Sequence, residues 1–285
     1  MKRPTILITG ASGYLAHRLI PVAAKYGEVI AVARNTHSVI MPATAIPVDL
    51  ADYHSLAEVF SQVCPDIIIH AAAVNPGGDE SMMDSINHLA SARIAEVAKK
   101  LGSRLIMVST ETVHRGDRAP YTDNAQPDPI NIYGLTKAAG ERAVLDAYPQ
   151  ALIARTSLIY GLAKIDRGTE GFRQRLRSGQ PLVLFNDVLR QPVTADHLSV
   201  ALCELAVRHV DVSGTMNLVG SEVMSRAEFG LAMLAYWNID TGDLVSARSG
   251  VGVEGLPVDL RCHSTMAETL GFELPGVTAV LLSQQ

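Results

Sequence analysis

The sequence predicts a doubly wound α/β fold, a parallel sheet covered by helices on both faces. Three observations carry that prediction. Short apolar runs of four to six residues alternate with longer segments of helical periodicity. The runs are continuously aliphatic rather than alternating, which suits strands buried on both sides. The first run also leads at once into a glycine-rich turn and a helix, the way open α/β sheets begin.

Taken in order, Thr5–Thr9 (TILIT) reads as a buried strand, 14–25 as a helix, and Glu28–Ala33 (EVIAVA) as a strand. A third strand precedes Asp49. Residues 55–63 then form a helix, Ile67–His70 (IIIH) a strand, 82–101 a long helix, 105–109 a strand, 133–147 a helix and 151–156 a strand. The pattern changes after Gly161. An arginine-rich stretch over 167–181 reads as a surface helix and loop, and 194–209 as a helix with Thr194 as its N-cap. Residues 1–161, joined by about 188–212, are expected to form the main domain. Residues 162–187 and 213–285 are expected to form a smaller, partly interleaved C-terminal lobe.

Composition removes several function classes. With 285 residues, 48% hydrophobic and 19% charged, the chain can bury a core. A formal net charge of −5 without a basic run argues against nucleic acid or an anionic membrane as partner. The three cysteines, Cys64, Cys203 and Cys262, are far apart and odd in number. That spacing suits buried thiols in a reducing, cytoplasmic setting better than a disulfide framework. The apolar stretch before Gly10 is too short for a signal peptide or a membrane span.

The turn Thr9-Gly10-Ala11-Ser12-Gly13-Tyr14-Leu15-Ala16 has the composition of a pyrophosphate cradle. Gly10 and Gly13 let the backbone turn tightly and approach a phosphate, and Ser12, Tyr14 and Leu15 lead into a helix whose N–H groups face the anion. At the end of the second strand, where NAD-preferring folds place a carboxylate for the ribose 2′-hydroxyl, this chain has Arg34. A guanidinium there favours a 2′-phosphate, so NADP(H) is expected over NAD(H). Asp49 and Leu50 are placed at the adenine, and the small residues Ala71, Ala72 and Ala73 where the backbone passes a ribose. His70 reads as a core or supporting histidine, and no spacing of His, Cys or carboxylates suggests a metal.

Tyr133 and Lys137 stand at i and i+4 of one helix. Carbonyl reduction requires a proton for the forming alkoxide, and an ammonium near a phenol is expected to lower the phenol's pKa. Ser109 or Thr110, closing the fifth strand, would orient the carbonyl oxygen.

With TGASGYLA at 9–16, HAAA at 70–73, Asn87, VST at 108–110 and YGLTK at 133–137, the chain resembles the extended short-chain dehydrogenase/reductase family, in its dTDP-4-dehydrorhamnose reductase-like branch. Residues 155–161 (RTSLIYG), Asn186-Asp187 and 191–193 (QPV, departing at Gln191) extend the likeness over nearly the whole chain. The resemblance implies that Thr110, with Ser109 as neighbour or substitute, orients the substrate oxygen. It implies that Tyr133 donates the proton and that Lys137 adjusts its pKa and clamps the ribose. Arg155, Arg173 and Arg190 become candidates for substrate phosphates. Glu111-Thr112 and His114-Arg115 depart from the branch's Asp-Tyr and Phe-Asp, so Glu111 is expected to touch the substrate and to alter its identity.

The expectation is therefore an NADP(H)-dependent reductase of a nucleotide-linked 4-keto-deoxysugar or related ketone. Homodimers are usual for the family. Two alternatives stand beside it. One is a sugar-nucleotide epimerase or dehydratase with tightly held nicotinamide. The other is a non-catalytic NADP-binding subunit resembling the methionine adenosyltransferase beta subunit.

Overall fold

The computed structural model describes residues 3–284. Seven strands, β1 (Thr5–Thr9), β2 (Glu28–Ala33), β3 (Thr44–Pro47), β4 (Ile67–His70), β5 (Arg104–Thr110), β6 (Leu152–Thr156) and β7 (Gly214–Leu218), form one sheet. Its order is β7-β6-β5-β4-β1-β2-β3, and every neighbouring pair is parallel. The order reverses between β1 and β4, so a crevice opens at the carboxyl ends of those strands, where such sheets bind ligands.

Strand alternation divides the core between the two faces. Ile6 and Ile8 of β1 pack with helix α1 (Ala16–Ala23) and helix α6 (Ala195–Val207). Leu7 turns to the opposite face, with helix α2 (Tyr53–Val63), the long helix α3 over 80–101 and helix α4 (Ile132–Ala147). The middle of α3 is not α-helical: Asp84–Ala90 is a π-helix. The sequence predicts an uninterrupted helix there, because the same side chains satisfy either winding.

The smaller lobe contains helix α5 (Arg167–Arg177) and helix α7 (Arg226–Tyr236). Strand Leu182–Phe185 runs parallel to Val245–Arg248. Leu176, Leu182, Leu184, Ala227 and Leu234 form its apolar centre. One boundary of the expected lobe is corrected. Residues from 213 onward are assigned to it by sequence, yet Gly214–Leu218 is the seventh strand of the main sheet, in register with Leu152–Thr156. The segment GTMNL lacks a continuous β-branched run, and its Asn217 is buried by donating to the carbonyls of Tyr121 and His263 at 3.1 Å each. Among the described residues no helix is long and apolar enough to cross a membrane, and no group of three or more His, Cys, Asp or Glu could hold a metal ion.

Candidate active site

The glycine turn is shaped by close backbone packing. Gly10 has φ +69°, and a Cβ there would lie 2.7 Å from the backbone of Ala72. Glycine thus lets the first turn press against the segment after β4, so Ala71–Ala73 border the same crevice. Gly13 N–H donates to the Gly10 carbonyl at 2.8 Å. Leu15, the N-cap of α1, offers no side-chain hydrogen bond, and since His17 and Arg18 N–H already donate to the Tyr14 and Leu15 carbonyls at 3.3 and 3.0 Å, an anion here would be met by the N–H groups of the turn that precedes them. Ser12 and Gly13 are exposed. The Tyr14 hydroxyl donates to the Lys164 carbonyl at 2.7 Å, so its polar tip is already engaged. Arg34 is exposed at the end of β2 and has no hydrogen bond or ion pair among the described residues. Asp49 is exposed and accepts from Ala51 N–H at 3.0 Å, whereas Leu50 is buried in the core. These residues fit a bound dinucleotide.

A buried polar chain ties this crevice to α3. Ser91 Oγ donates to the Asn87 carbonyl at 2.8 Å and so accepts from His70 Nε2 at 2.9 Å. His70 Nδ1 then accepts from the Thr9 hydroxyl at 2.7 Å, and the ring is held as the neutral Nε2–H tautomer. Burial, then the Lys137 charge, pushes the His70 pKa down to about 3. In the π segment, Asn87 accepts from Val74 N–H at 2.8 Å and donates to the Val74 carbonyl at 3.0 Å and to Thr136 Oγ1 at 3.2 Å. A Cβ at Gly140 would stand 2.1 Å from the Asn87 carbonyl. That glycine lets α4 lie directly on the π turn.

The same logic places the phenol. Asn131 caps α4 by accepting from Gly134 N–H at 2.8 Å. A Cβ at Gly134 would lie 2.3 Å from the Thr112 carbonyl. The start of α4 therefore seats on the 3-10 turn Glu111–Val113, which follows β5. Thr110, Tyr133 and Lys137 converge there. Thr110 Oγ1 accepts from Thr112 N–H at 3.1 Å and donates to Thr112 Oγ1 at 3.0 Å. Lys137 Nζ is buried and donates to the Val108 carbonyl at 2.8 Å. Desolvation brings its pKa down to about 8, against the Glu141 charge.

The expected lowering of the Tyr133 pKa is overturned. Burial pushes the phenol up to about 12; a hydrogen bond with Thr110 opposes this and the Glu111 charge adds to it. Lys137 is occupied by a backbone carbonyl and does not act on the phenol in this arrangement.

Ser109 and two of the candidate arginines are also corrected. Adjacent residues of a strand point to opposite faces, and Ser109 donates to Glu141 Oε1 at 2.5 Å, away from Thr110. Arg155, 2% exposed, makes a bidentate pair with Glu141, closest approach 2.7 Å, and donates to the Ala125 carbonyl at 2.9 Å. It is committed internally and has no donor to spare for a phosphate. Arg190 is likewise spent, on the carbonyls of Leu189 (2.7 Å), Pro257 (2.8 Å) and Val258 (3.2 Å) and on Glu111. Arg173 pairs with Glu170 at 2.5 Å on α5 and joins none of these networks.

Glu111 is 2% exposed, with Oε1 3.3 Å from Arg190 Nε and no donor in bonding geometry on Oε2. Burial raises its pKa to about 7, while Arg190, the Ser157 hydroxyl and Arg226 pull it down. The capping box formed by Ser225 and Glu228 starts α7 and puts Arg226 in its first turn.

Comparison with known proteins adds to this geometry. The family described as RmlD substrate binding domain matches residues 4–256. A dTDP-4-dehydrorhamnose reductase of Sinorhizobium fredii is 28% identical over 95% of this chain and 93% of its own. The methionine adenosyltransferase 2 subunit beta of Rattus norvegicus is 28% identical over 93% of this chain and 82% of its own. The crystal structure of dTDP-4-dehydrorhamnose reductase from Bacillus anthracis in complex with NADP superposes with a TM-score of 0.83. It is 24% identical and covers 99% of this chain and 98% of that one.

Proposed function

The chain belongs to the RmlD substrate-binding domain family, and from that membership we propose that it is an NADP(H)-dependent reductase of a nucleotide-linked 4-keto-deoxysugar. The observation that carries this reading is the convergence of the Thr110 hydroxyl, the Tyr133 phenol and the Lys137 ammonium at the end of β5. Gly10, Ser12, Gly13, Tyr14 and Leu15 would hold the dinucleotide's phosphates, and Ala71–Ala73 its ribose side. When bound, a nicotinamide would provide hydride-transfer chemistry at this site.

The chain's own residues do the rest. The Thr110 hydroxyl rotates from Thr112 to donate to the carbonyl oxygen, fixing its position. Tyr133 gives its proton to the oxygen as negative charge develops and regains one from solvent. A phenol held up at about 12 is protonated throughout the neutral range, as a donor must be. Lys137 offers a cation for ribose hydroxyls.

Following NADPH oxidation with a panel of nucleotide-linked 4-keto-6-deoxysugars tests the reading. Tyr133→Phe should lower kcat by about 10²–10⁴-fold with NADPH binding retained. In wild type, kcat/KM should fall as pH rises through about 8, where Lys137 loses its charge, and Lys137→Arg should move that limb upward. A panel without turnover, or an unaffected Tyr133→Phe enzyme, refutes it.

Cofactor choice is assigned to Arg34, whose exposed, unpaired guanidinium suits a 2′-phosphate. Arg34→Ala should reduce the NADPH-over-NADH ratio of kcat/KM about tenfold or more and leave thermal stability unchanged. The likeness to the adenosyltransferase beta subunit supports a second reading, in which the chain serves another enzyme as a subunit. Stoichiometric co-purification with such an enzyme, without ketone reduction, would establish it.

A further inference from the structure

The side chain that caps α4 makes a second bond, and that bond reaches the smaller lobe. Asn131 Oδ1 accepts from Gly134 N–H at 2.8 Å, while Asn131 Nδ2 donates to the Gly255 carbonyl at 3.0 Å. Gly255 lies on the segment that leaves the lobe's strand Val245–Arg248 and runs back to Gly116. The segment is fixed on both sides of Gly255. Asp187 accepts from Gly250 N–H at 2.6 Å and from the Ser249 hydroxyl. Arg190 holds the carbonyls of Pro257 and Val258, and Asp259 N–H donates to the Gly116 carbonyl at 3.2 Å. Residues 251–254, between Gly250 and Gly255, form an exposed arc. Gly255 has φ +67°, a backbone shape that glycine adopts freely, and its carbonyl meets Asn131.

Both bonds bear on Tyr133. The ring closed by the Asn131 cap contains Ile132 and Tyr133, so the backbone of Tyr133 cannot shift without opening it. Apolar packing adds little here, because Ile132 is 41% exposed and Leu135 51%. The amide oxygen and nitrogen of Asn131 share one rigid plane, so the bond to Gly255 keeps the oxygen turned to the cap. If the arc moves away from α4, that bond breaks or the amide rotates, and rotation uncaps Gly134. Placement matters at this scale: a catalytic group must be held to within about 0.5 Å, and an error of about 1 Å can cost about a hundredfold in rate.

We propose that Asn131 is a positioning residue for the reduction: the Gly255 carbonyl of the smaller lobe holds its amide in the capping orientation, and the cap sets where Tyr133 stands. Proton delivery to the ketone then depends on the smaller lobe being seated against the start of α4. This rests on the reductase reading and deepens it, by coupling the lobe to the chemistry.

Three variants test it. Aspartate and serine cap a helix as well as asparagine does, but aspartate has no proton for the Gly255 carbonyl and serine is too short to span both partners. Gly255→Ala strains the backbone that carries the carbonyl and approaches the same bond from the other side. Asn131→Asp, Asn131→Ser and Gly255→Ala should each lower kcat about tenfold, with KM for NADPH within about twofold of wild type. Thermal melts report whether each variant folds. Hydrogen exchange followed by NMR, without substrate, should show the Gly134 amide exchanging about fivefold faster or more in all three. If wild type reduces no ketone, the reductase reading fails and the exchange alone decides: faster in all three, the Asn131 joint stands. Unchanged exchange overturns the proposal whether or not a ketone is reduced. With an active wild type, variants that keep kcat within about twofold overturn it, as does a kcat loss matched by an equal rise in KM for NADPH, which marks general damage.

Discussion

Two buried glutamate–arginine pairs flank the ends of β5 and β6, and they differ in how completely each is satisfied. In the Glu141–Arg155 pair both carboxylate oxygens and three guanidinium nitrogens are bonded, with Ser109 and the Ala125 carbonyl completing the set. In the Glu111–Arg190 pair one carboxylate oxygen meets one nitrogen at 3.3 Å and the other has no donor. The first is a closed structural joint between α4 and β6. The second is open, and desolvation leaves its carboxyl near 7. Burial alone therefore does not tell the two pairs apart; how completely their bonding positions are filled does.

The largest predicted effect comes from breaking the closed joint. Arg155→Met would strand a buried carboxylate, and such breaks cost about 3–5 kcal/mol. The melting temperature should fall by roughly 10 °C, while protein that remains folded keeps its KM for the ketone. A drop of a degree or two would show that the pair is not closed in solution.

The open pair predicts a pH effect of opposite character. Glu111 is held near 7 against an ordinary 4.5, so between those values the native state binds more protons than the unfolded chain. Stability then declines as pH rises through that window, by about 3 kcal/mol at most. Glu111→Gln, which never ionises, should flatten the decline and be the more stable protein at pH 8. Urea titrations of both proteins at pH 4.5 and 8 give the comparison. Identical slopes would mean that Glu111 is as well paired as Glu141.

The sheet was legible because strands buried on both faces need continuous aliphatic runs, and TILIT, EVIAVA and IIIH supply them. GTMNL lacks such a run and was misplaced; its burial depends on what Asn217 meets in distant segments. Tyr133, Lys137 and Thr110 were legible because a helix repeat and a strand end fix their spacing. Arg155 and Arg190 were not, since an arginine's role is set by partners far along the chain, here Glu141, Glu111 and the carbonyls of 257–258.

The smallest predicted effect separates neighbours that sequence left interchangeable. Ser109 and Thr110 both end β5 with a hydroxyl, but strand alternation sends Ser109 to Glu141 and Thr110 toward Tyr133. Ser109→Ala removes one hydrogen bond to a charged group and should cost about 1.5–3 kcal/mol of stability, with kcat nearly unchanged. Thr110→Val preserves shape, should cost less stability than that, and should lower kcat by about tenfold or more through loss of the orienting donor. Melting curves and initial rates on the two variants decide the matter. A loss of kcat in Ser109→Ala equal to that in Thr110→Val would mean that the closed joint and the chemistry are one network, and the contrast between the two pairs would fall with it.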